Sequence, residues 1–101
     1  MPATLAGVWY FPLRSSTITL TGTDYRVVQA APANAAHGNV VVAGDEIDFF
    51  NGSGCGVPLP NGVGRYRWTI QGTTSVHFTA LTDDPCGRSE ILRDATWKRS
   101  Q

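Results

Sequence analysis

Glycine and proline break this chain at intervals of roughly 8–12 residues, and between the breaks apolar residues alternate with polar ones. That pattern constrains the fold more than any other feature. Side chains two apart share one face of a strand, whereas a helix needs apolar residues three and four apart, and few windows show the latter. With no helix available to cover a sheet, the sheet must close on itself or pack against a second sheet.

The strands read as follows. Val8–Leu13 (VWYFPL) is apolar on both faces, and Pro12 demotes its far end to an edge or a bend. Thr17–Thr21 alternates strictly, with Ile18 and Leu20 on one face, and Tyr25–Gln29 follows a turn at Gly22. Ala30–Gly38 (AAPANAAHG) reads as a loop of small residues. Asn39–Ala43 and Glu46–Phe50 flank Gly44-Asp45, the signature of a two-residue hairpin. Asn51–Gly62 is the longest irregular stretch. Val63–Ile70 sets Tyr66, Trp68 and Ile70 opposite Arg65, Arg67 and Thr69, and Ser75–Leu81 sets Val76, Phe78 and Ala80 opposite His77 and Thr79. Arg88–Leu92 and Ala95–Arg99 read as the last two strands, split by Arg93-Asp94. Short links favour a meander. The expectation is one all-β domain over residues 1–101, a small antiparallel meander β-barrel of about eight strands, with a β-sandwich as the alternative.

Composition removes several functions. Eight basic and eight acidic residues give zero formal net charge, and no basic run exceeds Lys98-Arg99. A nucleic-acid surface needs clustered cations to displace counterions from phosphate, so no nucleic-acid partner is expected. Apolar runs fall well short of the ~20 residues that span a bilayer, and no charged-then-apolar leader stands at the N-terminus. At 42% hydrophobic and 16% charged residues the chain is composed like a folded domain, with a surface that leans on Thr, Ser, Asn and Gly.

Gly7-Val8-Trp9 resembles the Gly-x-Trp signature on the first strand of lipocalins, and Trp97-Lys98-Arg99 resembles their closing strand, whose basic side chain lies over that tryptophan. The order GVW, GDEIDFF, Cys55, YRW, DDPCGR and TWKR is similar to short lipocalin-like domains of the calycin superfamily in actinobacteria, often secreted or appended to larger extracellular proteins. The resemblance implies a lipocalin-like barrel and an extracellular or cell-envelope setting. It also implies that Trp9, Trp97 and Arg99 close the barrel, with a guanidinium stacked on an indole face. It assigns no activity, because the functions of such domains are largely unassigned.

Cys55 and Cys86 each sit in a Gly/Pro-rich loop beside a strand end, where two loops of a barrel can meet. A disulfide between them closes a loop of about 32 residues and stabilises by roughly 3–4 kcal/mol on the chain-entropy account. Free thiols or a metal site are the other readings. His37 and His77 do not bring the cysteines into zinc-module spacing, so no metal is expected. Nor is a cofactor. No catalytic motif is evident: His77 has polar strand neighbours, and Asp83-Asp84 before Pro85 reads as a turn whose carboxylates cap backbone N–H groups. Arg65 and Arg67 read as partners of cross-strand carboxylates, and Glu46 and Asp48 as solvated surface.

Tyr25, Phe49, Tyr66, Trp68 and Phe78 fall on the more apolar faces of their strands. Either they fill the barrel, or they line a pocket for a small apolar ligand, with hydroxyls and an indole N–H as polar handles. Ligand binding or a purely structural barrel is therefore the leading reading. The alternatives are a cofactor-free enzyme of the cyclase or isomerase type working by shape and proximity, and a protein-interaction module. The two-faced Val8–Leu13 strand suggests either a partner chain, as in a homodimer, or a covering loop.

Overall fold

The computed structural model describes residues 1–12, 15–30, 33–53, 55–57 and 61–100. Among the described residues are eight strands and one short helix: β1 (Gly7–Phe11), β2 (Ser16–Thr21), β3 (Asp24–Ala30), β4 (Ala33–Ala43), β5 (Glu46–Phe50), β6 (Gly64–Gln71), β7 (Ser75–Ala80), α1 (Ser89–Leu92) and β8 (Ala95–Arg99). Each strand pairs antiparallel with the next, and β8 returns to β1 through Trp9↔Arg99 and Tyr10↔Lys98. The result is a closed eight-stranded antiparallel meander barrel. Closure leaves no sheet edge exposed, which is how a chain with almost no helix disposes of its backbone donors and acceptors.

Local chemistry sets the hairpins. Ala43 faces Glu46 across Gly44-Asp45, and Gly44 takes φ +60°, the requirement at the first position of a type II′ turn. Alternation then sorts the strands into inside and outside. Trp9, Ile18, Leu20, Ile47, Phe49, Tyr66, Val76, Phe78 and Trp97 are fully buried. Val8, Tyr10, Val28 and Val41 lie exposed on the outer wall. In the Val8–Leu13 run, Trp9 points in while Val8 and Tyr10 point out; Leu13 lies outside the described residues.

The floor of the barrel is closed by the N-terminal segment. Leu5 is fully buried, and Trp9 Nε1 donates to Leu5 O at 2.9 Å. Arg99 lies over the Trp9 ring, its guanidinium carbon 4.0 Å from the ring centroid, and donates to Ala6 O at 2.7 Å and Thr4 O at 2.6 Å. Gly7 makes this stack possible. It takes φ +124°, and a Cβ there would stand 2.8 Å from Arg99 Nη1.

Two stretches depart from the sequence expectation. Ala33–Gly38 is no loop but the first half of an 11-residue β4, paired with β3 from Asp24↔Asn39 to Ala30↔Ala33. Pairing with β3 overrides its low β propensity, and at Gly38, opposite Tyr25, a Cβ would lie 2.6 Å from Tyr25 Cε1. Ser89–Leu92, expected as a strand within Arg88–Leu92, is a single helical turn. Ile91 and Leu92 are adjacent and both buried, which the alternating faces of a strand cannot provide.

Candidate functional site

The β5–β6 and β7–β8 connections meet at one end of the barrel, where α1 packs against β7 and β8. Cys55 in the β5–β6 connection is disulfide-bonded to Cys86 in the β7–β8 connection, with Cα atoms 5.1 Å apart. The bond expected from the two Gly/Pro-rich loops is therefore present. The β5–β6 loop is also clipped to β4 by a reciprocal pair: His37 N donates to Ser53 Oγ at 2.9 Å, and Ser53 N donates to His37 O at 2.8 Å.

Below the disulfide lies a buried ion pair. Asp84 and Arg88, whose side chains are 1% and 6% exposed, bond Oδ2 to Nε at 2.7 Å. The same oxygen accepts the Tyr66 hydroxyl at 2.8 Å, and Oδ1 accepts Cys86 N at 3.1 Å. Gly64 leaves the space for this carboxylate, since a Cβ there would run into it. Arg88 Nη2 donates to Phe49 O at 2.8 Å and Gly62 O at 3.1 Å. Burial first, and then the hydrogen bond to Asp84, push the Tyr66 phenol well above its ordinary range. Asp84 does cap a turn, as its setting before Pro85 suggests, but its larger role as counter-ion of Arg88 was not read from the sequence.

A cavity of about 520 Å³ opens between the β3–β4 hairpin on one side and the disulfide and α1 on the other. Tyr25, Val27, Ala36 and Ile91 line it with apolar surface, and Gln29, Asn34, Ser53, Arg88 and Glu90 add polar groups. Its volume falls within the roughly 300–1,000 Å³ of small-molecule sites. At Gly52 two donors converge: an added Cβ would stand 2.7 Å from Tyr25 Oη and 2.9 Å from Arg88 Nη1. The Tyr25 hydroxyl and Arg88 Nη1 stand in the space a side chain at this position would need.

Of the five aromatics singled out in the sequence, Tyr25 lines this cavity. Phe49 meets Tyr25, Tyr66 and Phe78 edge-on, with centroids 5.1, 5.7 and 6.3 Å away, so these four rings pack together as the upper core. Trp68 stands apart, half-buried, its Nε1 donating to Gly44 O at 3.1 Å near the opposite end. Arg65 and Arg67 reach Asp48 and Asp45, at 3.0 and 3.2 Å, as the cross-strand pattern suggests. His77 Nδ1 bonds Thr96 Oγ1 at 2.8 Å on the outer wall. Among the described residues no three His, Cys, Asp or Glu side chains come together as a metal site, and no helix is long and apolar enough to cross a membrane.

Fold and site together define a small disulfide-tied antiparallel barrel with a polar-footed cavity at its capped mouth. The chain matches no family model, no curated protein and no solved structure.

Proposed function

We propose that this barrel is a lipocalin-like binder of small, mainly apolar molecules, with the ligand held at the capped mouth above a filled aromatic core. One observation carries the reading: the Tyr25 hydroxyl and Arg88 Nη1 stand beside Gly52 on the wall of a cavity of about 520 Å³ that Val27, Ala36 and Ile91 line with apolar surface and Gln29, Asn34 and Glu90 with polar groups. An apolar enclosure with a few convergent polar groups is the usual form of a small-molecule site. Its frame is rigid, since the disulfide, the Asp84–Arg88 pair and the His37–Ser53 clip each fix one wall. The disulfide also suits an oxidising, extracellular setting.

The test is a titration of the ¹⁵N-labelled, oxidised protein with 2-acetylnaphthalene, followed amide by amide. Saturable shifts centred on Gly52, Ser53, Gly87 and Ile91 are the expected result. Shifts centred on the outer wall at Tyr10 and Val28, or none up to the solubility limit of the probe, would overturn the assignment.

A further inference from the structure

The charge balance of the cavity narrows what it can hold, an inference that rests on the cavity being the ligand site. Arg88 is the cation at its foot, and its charge is already matched by the buried carboxylate of Asp84. A guanidinium carries five N–H donors. Those on Nε and Nη2 are taken by Asp84, Phe49 O and Gly62 O. The donors that remain belong to Nη1, the atom standing at Gly52 beside the Tyr25 hydroxyl. Among the described residues, the site thus offers hydrogen-bond donors without a net positive charge.

An anionic ligand head would be the second anion around one guanidinium. Its desolvation would go uncompensated. A neutral acceptor oxygen faces no such cost, because it takes both donors while its body rests on Val27, Ala36 and Ile91. We propose that the cavity selects uncharged, apolar molecules carrying one carbonyl-type oxygen (ketone, ester or amide), seated between Tyr25 Oη and Arg88 Nη1.

Three naphthalenes of matched shape separate the possibilities: 2-acetylnaphthalene, 2-ethylnaphthalene and 2-naphthoate, each titrated near pH 7, where the last is an anion. The ketone should bind on the order of tenfold more tightly than the hydrocarbon, the worth of about one to two hydrogen bonds, and the naphthoate should bind more weakly than the ketone. Tyr25→Phe should remove most of the ketone's advantage while leaving the hydrocarbon's affinity within about twofold. Equal binding of ketone and hydrocarbon, or tighter binding of the naphthoate, would overturn the selection while leaving the site in place. If none of the three shifts the cavity amides, the site reading itself falls and the selection with it. The ligand series on the unmodified protein decides the matter even if Tyr25→Phe folds poorly.

Discussion

Replacing Asp84 by Asn changes one atom type and tests whether the ion pair anchors the mouth. The carboxylate accepts from Arg88 Nε, Tyr66 Oη and Cys86 N, and both side chains of the pair are almost wholly buried. Asparagine keeps the shape and can still accept Cys86 N through its oxygen. Its NH₂ would then face the Arg88 N–H, donor against donor, and the guanidinium would be left buried without a counter-ion. Removing one partner of such a pair costs about 3–5 kcal/mol. A domain of ordinary stability has only about 5–15 kcal/mol in hand, so the urea midpoint should fall by a large fraction. The slope should stay the same, because both proteins expose the same surface on unfolding. Tyr66→Phe supplies the second corner of a cycle. Alone it deletes a hydrogen bond to a charged acceptor, at about 1.5–3 kcal/mol. In the Asp84→Asn background it should cost about 1–2 kcal/mol less, since the acceptor has already gone. Urea unfolding of the four oxidised proteins, read by tryptophan fluorescence, measures both quantities. A loss below about 1 kcal/mol for Asp84→Asn, or strict additivity in the cycle, would refute the anchoring role.

Three further outcomes follow from the same geometry. Converting both Cys55 and Cys86 to Ser removes a cross-link spanning 31 positions and should cost about 3–4 kcal/mol in calorimetric stability, with loss of cavity binding in the titration above. Gly38→Ala places a methyl 2.6 Å from Tyr25 Cε1 and 2.7 Å from Phe50 O, and should destabilise by about 1–3 kcal/mol with perturbed amides along β3 and β4. Because the folded Tyr66 phenol is raised, the native state holds its proton where the unfolded chain, near pH 10, gives it up. That stabilisation is present in full below about pH 10 and is lost as pH rises above it; stability measured from pH 9 to 11 should fall more steeply in the native protein than in Tyr66→Phe.

Period-two alternation was enough to place most strands, because each lies on a wall with one wet and one buried face. Glu46–Phe50 and Ala95–Arg99 match the observed β5 and β8 end to end. Alternation failed where a neighbour decides the outcome. Ala33–Gly38 looks like a loop until its pairing with β3, with Gly38 opposite Tyr25, is seen, and Ser89–Leu92 looks like a strand until Ile91 and Leu92 must both face the core. Only the partner across the barrel carries that information, so propensity along the segment could not supply it.

The candidate site shows the same limit more sharply. Its three decisive positions, Tyr25, Gly52 and Arg88, belong to different elements, and no local spacing links them. The nearest signal was DDPCGR, which sets Asp84 four residues before Arg88 around a cysteine; read alone it is a turn, and only the disulfide and Gly64 turn it into a buried pair. The inward aromatics gave a correct sense of a ring-rich interior, yet ring size is also what leaves little room there. Phe49 is enclosed by Tyr25, Tyr66 and Phe78, and the cavity opens where the residues turn small, at Ala36, Gly52 and Gly87. Tyr25 joins the two regions. Its ring packs on Phe49 in the core while its hydroxyl stands at Gly52 beside the cavity, so the proposed ligand would press on the same side chain that packs into the barrel's upper core.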